Sequence, residues 1–134
     1  MTGTQGTVAR PTADPVRRKV PRLVLGLAPS QLADAVATHF RTLGWDVTRA
    51  KSGVEAGWHA HRGKPAALVL SADFPGESGH LTCAKVRLTS PNCRIVLVGP
   101  GDPVSARRAR YAGAVGYLPE TAEAAAVARL VLGT

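Results

Sequence analysis

The stretch Arg-Leu-Val-Leu-Gly-Leu-Ala at residues 22–28 decides the fold of this chain of 134 residues. A nearly continuous apolar run of this length is typical of a strand that is buried on both faces of a sheet. Pro29 and Ser30 follow it, and a serine here favours the start of a helix because its hydroxyl oxygen accepts a hydrogen bond from a free backbone N–H. The stretch therefore predicts a strand that leads directly into a helix.

The same alternation continues along the chain. Two further apolar runs lie at residues 66–71 and 94–98, and two shorter candidate strands lie at residues 45–48 and 116–118. Between the strands, apolar residues recur every three or four positions, which is the period of an α-helix. Helices are predicted from Ser30 to Leu43, closed by Gly44, over residues 53–62, closed by Gly63, and over residues 80–88, 103–112 and 121–132.

Five strands that alternate with five helices predict an α/β fold, with a parallel sheet between two layers of helices. Five such units fit the flavodoxin-like (βα)5 fold, whose strand order is 2-1-3-4-5. Its ligand site lies at the carboxyl ends of the first and third strands. We expect one domain of this kind at residues 21–134.

The positive charge of the chain is concentrated near its N-terminus. The net charge is +8, and half of it lies in residues 1–22, where five Arg or Lys residues face one Asp. The same segment contains three prolines and few apolar side chains. Because such a segment cannot offset its ordering entropy by burial, we expect residues 1–20 to be a flexible basic arm.

Composition excludes several classes of protein. Hydrophobic residues make up 45% of the chain, charged residues make up 19%, and no apolar run approaches the roughly 20 residues of a membrane span. The N-terminus shows no secretory signal pattern. We expect a soluble, cytoplasmic protein without membrane contact, in which Cys83 and Cys93 stay reduced and buried, because their spacing fits neither a zinc site nor a redox pair.

Four short motifs occur in a familiar order and spacing. They are Leu-Gly-Trp-Asp-Val at residues 43–47, Ala-Lys-Ser-Gly-Val-Glu-Ala at 50–56, Phe-Pro at 74–75 with Gly79, and Tyr-Ala-Gly-Ala-Val-Gly-Tyr-Leu at 111–118. Together they resemble the receiver domain of bacterial two-component response regulators, over about residues 21–133. Each motif is weak alone, but four in register make chance agreement improbable.

The resemblance implies a phosphoryl-transfer site from which the reactive groups are missing. Receivers accept a phosphoryl group on an aspartate, with an acidic pair that holds Mg²⁺, a Ser or Thr and a Lys nearby. The corresponding positions here are Leu27 and Ala28 for the acidic pair, Ser71 for the acceptor, Gly99 for the hydroxyl and Glu120 for the lysine. We therefore interpret the chain as a degenerate pseudo-receiver that is not an enzyme, with no metal and no cofactor.

Other candidates for chemistry are weaker. Asp73 lies two residues after Ser71 and is the alternative acceptor, but it would still lack the acidic pair. The four histidines show no paired spacing for zinc, and no serine lies in a GxSxG elbow. A loop carboxylate explains Asp73 better than catalysis does.

The leading functional hypothesis is a stand-alone, phosphorylation-independent protein-interaction module of bacterial signalling or regulation. Receivers bind partners mainly through the fourth helix, the fifth strand and the fifth helix, so we expect a signalling protein, another receiver or a second copy of the chain to bind there. Alanines on the last helix form a second stripe, opposite the one that covers the sheet. The predicted interface residues are Arg107, Arg110, Tyr117, Ala125, Ala128 and Leu132.

Two rival hypotheses stay open. In one, the basic arm and the fourth helix, with Arg107, Arg108 and Arg110, bind nucleic acid or another polyanion. In the other, the degenerate pocket around Ser71 holds a small ligand, because the fold provides a crevice there.

Overall fold

The computed structural model describes residues 20–134, and the arm predicted at residues 1–20 lies almost entirely outside this range. Five strands alternate with five helices along the described chain. The strands are β1 (Arg22–Gly26), β2 (Asp46–Arg49), β3 (Ala67–Ser71), β4 (Arg94–Gly99) and β5 (Gly116–Pro119). The helices are α1 (Gln31–Thr42), α2 (Gly53–Gly63), α3 (Gly79–Thr89), α4 (Pro103–Ala112) and α5 (Ala124–Leu132).

All five strands are parallel and lie in the order β2-β1-β3-β4-β5, so the predicted flavodoxin-like fold is confirmed. β1 pairs with both β2 and β3, which places the stretch that opened the sequence analysis near the centre of the sheet. A central strand has a helix layer on each side, and this explains its continuous apolar character.

Side chains of the strands alternate between two core clusters, one on each face of the sheet. The first cluster packs under α1 and α5 and contains Leu23, Leu25, Val69, Val96 and Val98 from the strands. The second packs under α2, α3 and α4 and contains Val24, Leu68, Leu70, Ile95 and Leu97. The alternation follows from the two-residue period of a strand.

Hydroxyl and carboxylate caps begin four of the helices. Ser30, Ser52 and Ser78 accept hydrogen bonds from the backbone N–H groups of Ala33, Glu55 and Leu81, respectively. Asp102 caps α4 in the same way through the N–H of Ser105. Each cap satisfies one of the backbone donors that a helix start leaves free, so Ser30 marks the helix start as predicted.

Two helix ends differ from the sequence prediction. Gly63 is still helical in α2, and the residue that closes the helix is Lys64, which adopts the left-handed conformation at φ 46°. α5 begins at Ala124 instead of Thr121, because Glu123 is still extended at φ −91° and ψ 155°.

A membrane-spanning helix would need more length and more apolar character than any helix within residues 20–134 has.

Candidate functional site

A cavity of about 380 Å³ lies at the carboxyl end of the sheet, beside the start of α1. Its lining comprises Leu27, Ala28, Ser30, Gln31, Leu32, Ser71, Val98 and Glu120. Leu27 and Ala28 follow β1, Ser71 ends β3 and Glu120 follows β5, so parallel strands bring these distant residues to one edge. Four of the five pocket residues predicted from the sequence therefore lie together.

Hydrocarbon and hydroxyl groups dominate the walls of this cavity. Leu27 is only 7% exposed and belongs to the first core cluster, whereas Ala28 is exposed at the rim. Ser71 is half-buried, and Glu120, the one carboxylate of the lining, is exposed. A divalent cation such as Mg²⁺ takes several oxygen ligands, and Leu27 and Ala28 supply none from their side chains.

Gly99 does not line the cavity, which corrects the predicted set. Its neighbour Val98 does, and consecutive residues of a strand point to opposite faces of the sheet. Gly99 instead faces the second core cluster, where a β-carbon on it would lie 2.6 Å from the hydroxyl oxygen of Tyr117 and 2.8 Å from Ala72. The absence of a side chain at Gly99 is what lets the Tyr117 ring lie there.

Tyr117 is held over Gly99 by polar and aromatic contacts. Its hydroxyl donates a hydrogen bond of 2.6 Å to the backbone carbonyl of Pro100, and burial raises the pKa of the phenol. The imidazole of His80 stacks on the ring, with the centroids 6.5 Å apart and the planes 16° apart. Burial lowers the pKa of His80, and the positive charge of Arg108 lowers it further, so the uncharged form is favoured.

The loop between β3 and α3 is fixed by a polar network that the sequence did not predict. The carboxylate of Glu77 accepts hydrogen bonds of 2.7 Å from the hydroxyl of Thr82 and 2.8 Å from the ammonium group of Lys85. These bonds lower the pKa of Glu77, the bond from Lys85 most. Thr82 is fully buried, and the carbonyl oxygen of Gly53 lies 3.3 Å from its hydroxyl oxygen as a second acceptor for the same proton. The network connects the loop to the start of α2.

Asp73, the alternative acceptor, is exposed and is not part of the cavity lining. Within residues 20–134, no three His, Cys, Asp or Glu residues come close enough together to hold a metal ion. Cys83 and Cys93 are buried and unpaired, and burial raises the pKa of both thiols to about 11. These thiols are therefore poor nucleophiles at neutral pH.

Most of the predicted interface residues lie at the surface. Arg107, Arg110, Ala125 and Leu132 are exposed, and Tyr117 is partly exposed. The prediction is wrong for Ala128, which is only 4% exposed and belongs to the first core cluster. α5 packs against α1 as well as against the sheet, so its buried arc is wider than the one sheet-facing stripe that the sequence analysis assumed.

Comparison with solved structures gives the fold family of this architecture. A protein described as a response regulator, from Chloroflexus aurantiacus, is 25% identical with a TM-score of 0.75, over 87% of this chain and all of that one. A CheY-like receiver domain protein of Methanospirillum hungatei is 13% identical with a TM-score of 0.77, over 86% of this chain and 93% of that one. The chemotaxis response regulator CheY4 of Vibrio cholerae is 17% identical with a TM-score of 0.71, over 86% and 95% of the two chains.

The chain therefore has the receiver-domain fold of response regulators, as the sequence motifs predicted. No protein-family model matches the sequence. No curated protein sequence matches it either.

Proposed function

We propose that the chain is a phosphorylation-independent protein-interaction module of bacterial signal transduction, and that it acts in the cytoplasm without catalysis of its own. One observation carries this proposal. The residues at the carboxyl ends of β1 and β3, where receivers hold their acidic pair and acceptor, line one cavity and are Leu27, Ala28 and Ser71. The proposal combines the receiver fold with a cavity that lacks the chemistry of phosphoryl transfer.

Phosphoryl transfer needs groups that this cavity does not supply. A nucleophile must attack phosphorus, and a divalent ion with cationic groups must neutralise the charge on the phosphoryl oxygens. Ser71 supplies a neutral hydroxyl in place of a carboxylate, and Glu120 adds negative charge where a phosphorylated product would need positive charge. Both features oppose formation of a stable phosphorylated state.

Incubation with acetyl phosphate and Mg²⁺ tests this part of the proposal. We expect intact-protein mass spectrometry to show no added phosphate on the wild-type chain or on the Ser71→Ala and Asp73→Asn variants. Stable addition of one phosphate that disappears in either variant would contradict the proposal and would identify the acceptor.

The proposed interaction surface comprises α4, β5 and α5, as in the receivers that the chain resembles. β5 is an edge strand of the sheet, and α4 and α5 carry exposed apolar side chains. Val104 is 57% exposed, Tyr111 is 86% exposed and Leu132 is 42% exposed. Exposed apolar side chains grouped with the arginines of α4 favour a protein partner, and a second copy of the chain is the simplest one.

Replacement of Leu132 tests self-association through this surface. Leu132→Glu places a charge at the proposed contact, while Leu81→Glu changes an equally exposed leucine on α3, at 49% exposure. We expect light scattering to show a concentration-dependent dimer for the wild type and for Leu81→Glu, and a monomer for Leu132→Glu. A monomeric wild type at high micromolar concentration would exclude the homodimer.

A further inference from the structure

A second cavity, of about 280 Å³, lies near the amino end of the sheet, between β1, β2 and α2. Arg22 opens β1, Thr48 lies on β2, and Trp58, His59 and Arg62 come from α2. All five side chains carry hydrogen-bond donors, and none of the residues that line the cavity is acidic. The side chains that meet here therefore form a donor-rich, basic site.

Within residues 20–134, no carboxylate pairs with the guanidinium groups of this site. The two ion pairs within residues 20–134 are Arg49–Asp34 and Lys85–Glu77, and neither involves Arg22 or Arg62. Asp46 is the ladder partner of Arg22 in β2, but it forms no ion pair with it. Arginine presents several N–H donors in one plane, a geometry that matches a phosphate group.

Trp58 adds an aromatic platform beside these charges. The guanidinium group of Arg62 lies over its ring, 4.8 Å from the centre, and the residue is still 54% exposed. A half-exposed indole next to arginines is the combination that holds unpaired bases, because the base stacks on the aromatic ring while the guanidinium groups contact the phosphates. An acidic protein segment would use the charges but would have no use for stacking.

We infer that single-stranded nucleic acid binds this cavity, with a base against the exposed part of Trp58 and its phosphates on Arg22 and Arg62. The site is on α2 and the start of β1, and it therefore differs from the α4 surface considered in the sequence analysis. It is also separate from the proposed protein interface on α4, β5 and α5.

Two double variants that remove the same charge test the location of the site. One carries Arg22→Gln and Arg62→Gln, and the other carries Arg107→Gln and Arg110→Gln on α4. Binding of a fluorescein-labelled oligo-dT is measured by fluorescence anisotropy over a series of salt concentrations. Each phosphate contact to a single strand adds about −0.7 to the slope of log Kobs against log [salt].

We expect the wild-type slope to become shallower by about 1.4 in the first variant, because two contacts are lost, and to stay unchanged in the second. Equal changes in the two variants would overturn the inference, since binding would then follow net charge rather than this cavity. Absence of oligonucleotide binding by the wild type at low salt would overturn it as well.

Trp58 separates nucleic acid from a generic polyanion. We expect Trp58→Ala to weaken oligo-dT binding by about fivefold or more, which is the lower end of the range for loss of one stacked base. Trp58→Phe should retain most of the affinity, because a phenyl ring can still stack on a base. Thermal unfolding of both variants shows whether the fold is intact. Polyglutamate that competes as well as oligo-dT of equal charge, or a Trp58→Ala variant with wild-type affinity and fold, would overturn the inference.

Discussion

At the carboxyl end of the sheet, the cavity beside α1 has walls of hydrocarbon and neutral polar groups, with Glu120 as its one carboxylate. The cavity at the amino end instead has two guanidinium groups and an imidazole. The first lies where this topology provides a ligand crevice, and the second is assembled by the start of β1 and the last turns of α2. The backbone therefore determines where a crevice forms, and the side chains that line it decide what it can bind.

Substitutions at Leu27 and Ala28 give the largest expected effect and test the character of the carboxyl-end cavity. Leu27→Asp would place a carboxylate in the first core cluster, so we expect the free energy of unfolding to fall by about 3 kcal/mol or more. Ala28→Asp lies at the exposed rim, and its effect should stay within about 1 kcal/mol. Urea unfolding at pH 7 measures both, and equal losses would show that Leu27 is not a core residue.

Helix α2 runs along the sheet, and two of its three glycines, Gly53 and Gly57, test how tightly each part of the helix is packed. A β-carbon on Gly53 would overlap the backbone carbonyl of Glu77, so we expect Gly53→Ala to lower the free energy of unfolding by about 2 kcal/mol. A β-carbon on Gly57 would meet its nearest neighbour, the methyl group of Thr82, at 3.8 Å. Gly57→Ala should therefore raise the free energy of unfolding by about 0.5 to 1 kcal/mol through helix propensity. Thermal or urea unfolding of the pair checks the opposite signs.

A smaller and pH-dependent effect is expected at Glu77. Glu77→Gln removes the charged hydrogen bonds to Lys85 and Thr82, so we expect a loss of about 1 to 2 kcal/mol at pH 7. The pKa of Glu77 is lowered in the folded state, so its contribution is present above its ordinary pKa, near 4.3, and disappears as the pH falls through the folded value. The free energies of unfolding of the variant and the wild type should therefore become equal at acidic pH.

Glu120→Gln is the control for this pH dependence. Glu120 lies at the same end of the sheet but is exposed, so we expect its replacement to change stability by less than about 0.5 kcal/mol at any pH. If the difference in free energy of unfolding between Glu77→Gln and the wild type persists at low pH, the stabilisation does not come from the ionised carboxylate of Glu77.

The sequence predicted the order and type of all ten elements because the periods of the apolar residues differ between strands and helices. It failed for the start of α5, where the chain stays extended through Glu123. It also failed for Ala128, because the helical period gives the direction of a side chain but not how many neighbouring elements cover it.

The carboxyl-end cavity was predictable in part, because counting back from Gly44, and from Pro75 and Gly79, in the receiver-like motifs locates Leu27, Ala28 and Ser71. Ser30, recognised as a helix cap, also proved to line it. The amino-end cavity was not predicted, since Arg22 and Trp58 are far apart in sequence and meet only through the packing of α2 against β1.

The packing of Tyr117 over Gly99 also limits the substitutions that this chain can accept one at a time. Any side chain at Gly99 collides with the phenol or with Ala72, so a new residue there is tolerated only after Tyr117 has moved or been replaced. The two positions are therefore epistatic, because the fitness of a change at one depends on the residue at the other. A serine or threonine at position 99 would therefore cost less stability in a chain that already carries a smaller residue at position 117.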